Sequence, residues 1–348
     1  MYYGRGMILI TYVDDTLFFG PDLKAIKQVI TKLEGLGCGL TCKEGDESTA
    51  FAFLGVSITP DPVTKLLKLT QKGLIKKVLE ATGMSDCRTR GSPTLITPLG
   101  TDAAGPHRKE TWNYASIIGM LMYLSSNAHP EIQFAVHQCA RFTHCPRASH
   151  EEGVKHICRY LQGVRDNGLT FQPNADLQLD CYVDADFAGL WNYENDQDPV
   201  CVKSRTGYVM TLGGCPIQWS SKLQTEIALS TTEAEYIALS QAMRELLPLR
   251  RLLLEIALAM ELPGVKDSVI KSTVFEDNNG AIATAKSVKM TPRTKQIAVK
   301  YHFFKSHISD ESGISLDKID TNLQKADILT KGMAPQKFAE MQTILCGW

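Results

Sequence analysis

Four acidic residues, Asp184, Glu233, Asp277 and Asp327, are spaced so that folding can bring them to one place. Carboxylates crowded together repel and raise one another's pKa unless a cation neutralises them. Mg²⁺ takes carboxylate oxygens while keeping several waters, and a pair of Mg²⁺ or Mn²⁺ ions can activate a water and stabilise the leaving oxygen when a phosphodiester is cut. A second acidic pair, Asp14 and Asp15, follows Tyr12-Val13 and offers another place for metal. The histidines and cysteines between His137 and Cys158 match no common zinc spacing, and they alternate with apolar positions of helical period, so core or surface roles are expected for them.

Strands and helix starts must position the acids. Leu177 to Val183 alternates, with Leu177, Leu179, Cys181 and Val183 on one face and Asp180, Tyr182 and Asp184 on the other, which predicts a strand that delivers Asp184 at its end. Gly207–Leu212 and Cys215–Ser220 flank Gly213-Gly214, a two-residue turn that tolerates positive φ, and predict an antiparallel hairpin. Ser230-x-x-Glu233 is a capping box opening a long helix, which Pro248 is expected to break or kink. Glu235 competes with Glu233: two residues apart on a helix is about 200° of rotation, so only one of them can face the acids. A strand at Thr273–Glu276 ends at Asp277, a helix begins near Asn279, a helical stretch covers Tyr301–Ser309, a strand covers Ile314–Ile319, and Asp327 lies early in a terminal helical region. The order is β-β-β-α-β-α-β-α, an α/β mixed sheet whose strand ends and helix starts form a crevice.

Upstream, Met7 to Gly20 predicts a hairpin with Asp14-Asp15 at its tip, followed by a helix over Asp22–Leu36 and a second hairpin around Phe51–Ile58 and Leu66–Leu69. From Thr70 to about Gly168 the pattern is helical, interrupted by a Gly/Pro/Thr-rich connector from Arg90 to Pro106. Three regions result: 1–69, 70–170 and 171–348. With 348 residues, 44% apolar and 22% charged, the chain is an ordinary globular one. No apolar run reaches the ~18 residues of a membrane span, so no membrane association is expected. Ten cysteines without a Cys-x-x-Cys pair or a secretion signal suit an intracellular setting, cytoplasmic or nuclear. A net charge of −1 gives no global attraction to nucleic acid, which leaves local basic groups to supply it.

Six ordered blocks carry a resemblance: Tyr-Val-Asp-Ala-Asp-Phe-Ala-Gly (182–189), Lys-Ser-Arg-Thr-Gly-Tyr-Val (203–209), Gln-Trp-Ser-Ser-Lys-Leu-Gln (218–224), Leu-Ser-Thr-Thr-Glu-Ala-Glu-Tyr-Ile-Ala-Leu (229–239), Glu-Asp-Asn-Asn-Gly-Ala-Ile (276–282) and Ala-Asp-Ile-Leu-Thr-Lys (326–331). Together they resemble the ribonuclease H domain of copia-type retrotransposon Pol polyproteins. The likeness continues upstream to Tyr12-Val13-Asp14-Asp15, which resembles the metal-holding turn of reverse transcriptases. It implies a ribonuclease H-like domain over 171–348, preceded by a partial reverse transcriptase palm (1–69) and a mostly helical thumb and connection region (70–170). Only eleven residues precede Tyr12, so this chain is expected to be unable to polymerise alone.

The resemblance implies hydrolysis of RNA in RNA–DNA hybrids with two Mg²⁺ or Mn²⁺ ions, leaving a 3′-hydroxyl and a 5′-phosphate. It favours Glu233 over Glu235, gives Asp14 and Asp15 a polymerase metal role, and suggests that His302 assists proton transfer or product release. Lys203, Arg205, Lys222, Arg293 and Lys295 are the expected phosphate contacts, with Trp219 and Ser220 near the substrate groove. Asp186 is expected to be a neighbour of the acids and not a ligand. Partners would be the hybrid and the N-terminal Pol region or other retroelement proteins. Where the family reads Lys-His-Ile-Asp, this chain has Lys295-Gln296-Ile297-Ala298, a departure that bears on substrate handling. The alternative reading is an inactive retroelement remnant with weak nucleic-acid binding.

Overall fold

The computed structural model describes residues 1–4, 6–13, 15–36, 51–95, 97–174, 178–191, 199–261, 270–287, 297, 299–309 and 311–348. Strands β1 (Tyr2–Gly4), β2 (Met7–Tyr12) and β3 (Asp15–Phe19) form an antiparallel sheet, and α1 (Leu23–Gly35) follows, capped by the Asp22 carboxylate. β4 (Phe51–Phe53), β5 (Val56–Pro60) and β6 (Leu67–Thr70) open a second antiparallel sheet. The helical stretch comprises α2 (Lys72–Ala81), α3 (Tyr114–Asn127), a 3-10 turn (Pro130–Ile132), α4 (Gln133–Ala140) and α5 (Ala148–Val164). β7 (Gly168–Phe171) then returns to pair with β6, closing the helical stretch at its base.

The remaining described strands build one five-stranded mixed sheet. β8 (Leu179–Asp186) pairs antiparallel with β9 (Arg205–Leu212), which pairs antiparallel with β10 (Cys215–Leu223). Gly213 and Gly214, at φ of 56° and 84°, make the tight turn between β9 and β10, a geometry that side chains with a Cβ resist. The long helix α6 (Thr231–Ala259) leads to β11 (Ser272–Glu276), which runs parallel to β8, and α7 (Asn279–Lys286) follows. A 3-10 stretch (Val299–His307) precedes β12 (Ile314–Lys318), parallel to β11. Two 3-10 turns, Thr321–Leu323 and Lys325–Leu329, lead into α8 (Pro335–Cys346). The strand order is β10-β9-β8-β11-β12.

The two faces of this sheet are buried differently. Leu179, Cys181 and Val183 pack against Ala234, Ile237, Ala238 and Leu246 of α6. Val209, Tyr182 and Trp219 face the other way, into an apolar cluster with α2–α5 and α8. Packing therefore runs continuously across position 171. Of the break or kink expected at Pro248, the break is absent: α6 continues through it to Ala259. The terminal helical region begins as 3-10 turns, and Asp327 sits in one of them.

Candidate metal centre

The sheet brings acids from three elements together. Asp184 on β8, Glu235 on α6 and Asp277 just after β11 each offer a carboxylate oxygen, and these lie within 4.8 Å of one another. The parallel pairing of β8 with β11 puts the ends of both strands side by side, which places Asp277 beside Asp184. Asp327 adjoins the group through a hydrogen bond with Asp184, and its own carboxylate is buried. Glu276, absent from the set expected on sequence, is fully buried alongside and is repelled by Asp184 and Asp277.

The structure places Glu233 and Glu235 differently. Glu233 Oε2 accepts the Leu229 N–H at 3.0 Å while its own N–H donates to Ser230 Oγ at 3.2 Å, so its side chain is spent on capping α6. Glu235, on the opposite side of the first turns, accepts the Ala185 N–H of β8 and faces Asp184 and Asp277. The capping pattern is real, and it competes with a ligand role for Glu233.

Local packing fixes the remaining geometry. Asp184 lies opposite Gly207 in register, and a Cβ on Gly207 would stand 2.6 Å from Thr330 Cγ2 and 3.1 Å from the Ala326 carbonyl oxygen. Glycine there lets the Lys325–Leu329 turn settle onto β9. Thr330 Oγ1 then donates to Asp184 Oδ2. Gln324 Nε2 donates to the Val183 carbonyl at 2.8 Å, tying the same turn to β8. Thr321 Oγ1 donates to Asp277 Oδ2 at 2.7 Å. Asp186 packs so closely on Gly189 that a side chain there would collide with it.

The electrostatics are those of a site short of positive charge. Burial raises the pKa of Asp184, and Asp327 and Asp277 add to the rise against the pull of Lys331 and Thr330. Burial also raises Glu235, reinforced by Glu276, Asp184 and Asp277, and it raises Glu276. Glu235 Oε2 and Glu276 Oε2 are buried without a hydrogen-bond partner among the described residues. Buried carboxylate oxygens left unpaired cost free energy, and a divalent cation relieves that cost. The donor set, all hard oxygen, fits Mg²⁺ or Mn²⁺.

Other expected site residues fall elsewhere. Arg205 is 3% exposed, its Nη1 donates to Ser221 Oγ at 3.1 Å, and its guanidinium lies over the Phe134 ring, so it cannot meet a phosphate. Its strand face is the one covered by α4. Trp219 is on the same face, and its Nε1 donates to the Ser125 carbonyl at 2.7 Å, inside the packed seam and not in a groove. Ser220 is buried and bonds Tyr208. Lys222 is exposed and Lys203 half-buried, so both remain available. His302 Nδ1 is hydrogen-bonded to the Tyr236 hydroxyl at 2.7 Å, and burial and Lys305 lower its pKa; this ties it to α6 and not to the acids. Asp15 is exposed at the start of β3 in the separate N-terminal sheet. Asp14, Leu177, Arg293 and Lys295 lie outside the described residues.

The chain is similar to known proteins over nearly its whole length. The chain is 36% identical over 341 residues to the retrovirus-related Pol polyprotein from transposon TNT 1-94 of Nicotiana tabacum, covering 95% of this chain and 24% of that protein. It is 30% identical over 336 residues to the corresponding polyprotein from transposon RE2 of Arabidopsis thaliana, covering 96% of this chain and 21% of that protein. The chain is homologous to copia-type retrovirus-related Pol polyproteins from plant transposons, at 30–36% identity over about 95% of its length. It spans about a quarter of the length of these curated relatives. No protein-family model matches it. Among solved structures, LC11-RNase H1, isolated from compost by a metagenomic approach, is 20% identical and covers 44% of this chain and 93% of its own, at a TM-score of 0.30. No helix among the described residues is long and apolar enough to cross a membrane.

Lys331 and Glu276 were within reach of sequence reasoning. Lys331 stands four residues after Asp327, the spacing of a helical ion pair, and Glu276 directly precedes Asp277.

Proposed function

We propose that this Pol chain hydrolyses the RNA strand of RNA–DNA hybrids, with Asp184, Glu235, Asp277 and Asp327 as ligands for two Mg²⁺ or Mn²⁺ ions. The observation that carries the reading is the approach of Asp184, Glu235 and Asp277 to within 4.8 Å, with Glu235 Oε2 buried and unpartnered. Such ions supply the positive charge that favours deprotonation of an attacking water and steadies the leaving oxygen.

The chain's own groups prepare that chemistry. Thr330 and Thr321 orient Asp184 and Asp277 by donating hydroxyl protons to them. Glu235 is fixed by the Ala185 N–H, so its free oxygen keeps one direction. Asp277 is the least buried of the three clustered acids. Lys203 and Lys222 are proposed phosphate contacts, which position a duplex without reading its sequence. The 2′-hydroxyls of the hybrid would mark the strand to be cut. His302 is left out of the catalytic set.

The test is purified chain incubated with an end-labelled RNA–DNA hybrid and Mg²⁺, beside Asp277→Asn. Cleavage that needs metal, leaves 5′-phosphate ends and disappears in the variant is expected. Absence of cleavage by the unaltered chain, or cleavage equally strong in the variant, would overturn the proposal and leave an inactive remnant.

A further inference from the structure

Five carboxyl groups crowd the end of the sheet, yet they are not equally served by positive charge. Asp184, Glu235 and Asp277 converge on one another. Asp327 is not part of that convergence, and its Oδ1 is held at 2.9 Å by the Lys331 ammonium. The backbone imposes the contact: the Lys331 N–H reaches the Asp327 carbonyl at 3.4 Å, closing a turn that sets the two side chains on one side. The Lys331 side chain is 45% exposed and the Asp327 carboxylate 5%, so the ammonium enters from the solvent side and covers a buried acid. Asp184 and Asp277 also feel its charge.

A divalent ion held by Asp184 and Asp327 would stand close to the Lys331 ammonium on Asp327 Oδ1, and the two positive charges would repel. The geometry points to Lys331 as a tethered counter-cation that fills the second metal position of this site in the metal-free chain and competes with the ion that belongs there. The proposal rests on the reading of these carboxylates as metal ligands. Its consequence is two unequal positions. Among the described residues the Asp184–Glu235–Asp277 position has no ammonium paired with its acids, whereas the Asp184–Asp327 position fills when the ammonium swings out toward solvent, a movement its exposure permits. A tethered cation has a high effective concentration and holds its place until the divalent ion outcompetes it. Lys331 is in this sense a positioning residue: it keeps Asp327 next to Asp184 before metal arrives.

The experiment is calorimetric titration of the full chain with Mg²⁺, and separately with Mn²⁺, for the unaltered protein and for Lys331→Met and Lys331→Arg. Melting temperature is measured in parallel in EDTA at low ionic strength. The unaltered chain should bind in two steps, the second at least about tenfold weaker. In Lys331→Met the second step should tighten about tenfold or more with a smaller change in the first, and the metal-free melting temperature should fall and recover on adding Mg²⁺. Lys331→Arg, which keeps the charge, should behave as the unaltered chain. Lys331→Gln substitutes if the Met variant does not fold. Two-step binding that Lys331→Met leaves unaltered, or tightens equally at both steps, sinks this proposal alone. A chain that binds no divalent ion in any form sinks the metal reading together with it.

Discussion

Substituting Glu233 and Glu235 separately distinguishes a ligand from a cap, because the structure gives the two side chains opposite energetic signs. Glu233→Ala removes one hydrogen bond to the Leu229 N–H and a negative charge at a helix N-terminus. The expected loss is about 1 kcal/mol, a few degrees in melting temperature. Cleavage should persist, since no metal-facing oxygen is lost. Glu235→Gln removes a charge that burial, Glu276, Asp184 and Asp277 all disfavour. In EDTA this variant should therefore melt higher than the unaltered chain, by an amount equivalent to on the order of a few kcal/mol, because relieved repulsion outweighs one altered hydrogen bond. Groups that merely orient metal ligands already cost about 10–100-fold when removed, so loss of a ligand should lower hybrid cleavage by at least about 100-fold. The paired assay is thermal melting with and without Mg²⁺ beside single-turnover cleavage. A Glu233→Ala chain that melts normally and cannot cleave, next to an active Glu235→Gln chain, would refute the assignment.

The raised pKa values give the metal-free chain a definite pH dependence. Asp184, Glu235 and Glu276 are raised when folded, so the stability they contribute is full below about pH 4, the unfolded carboxyl range, and is lost as pH climbs through the folded values, about 7 for Asp184 and about 8 for Glu276. Melting temperature in EDTA should fall between about pH 5 and pH 8, and Mg²⁺ should restore it at the upper end; a flat profile in EDTA would contradict the burial argument. Gly207→Ala should lift the Asp327 turn off β9 through the contact with Thr330 Cγ2, costing about 1–3 kcal/mol and weakening metal uptake, read by melting and calorimetry. Arg205→Met should leave the salt dependence of hybrid binding unaltered, because its guanidinium is buried, whereas Lys222→Ala should reduce the slope of log affinity against log salt by about one.

Much of the sheet was legible in the sequence for local reasons. Alternation from Leu179 to Val183 reports one buried face, and Gly213-Gly214 reports a turn that needs positive φ. What was not legible depends on elements far away in the chain. The choice between Glu233 and Glu235 is invisible locally because Ser230-x-x-Glu233 is a valid cap, and the cap is what claims Glu233. Only the Ala185 N–H and the neighbouring acids single out Glu235. Arg205 and Trp219 look like substrate contacts until the helices are laid over their side of the sheet. Pro248 lacks one N–H, yet Leu246 is buried in the cluster around α6, Leu247 and Leu249 pack against it, and α6 stays helical past the proline.

The same packing explains why Asp327 is held by a part of the chain that lies outside the acidic cluster. Ile328 and Leu329, next to Asp327, are buried in the apolar cluster that contains Leu121, Leu124, Val136 and Ile157 of the helical stretch. The Lys325–Leu329 turn also touches α4 and the Pro130–Ile132 turn. Trp219 fastens the seam by satisfying the Ser125 carbonyl, one of the carbonyls that the last turn of α3 leaves without an intrahelical partner. Asp184 is thus fixed by strand pairing, while Asp327 is fixed by the fit between the sheet and the helices. Loosening that fit displaces Asp327 first and leaves Asp184, Glu235 and Asp277 in place. The helical stretch therefore sets the place of Asp327, and the sheet and α6 set that of Asp184, Glu235 and Asp277.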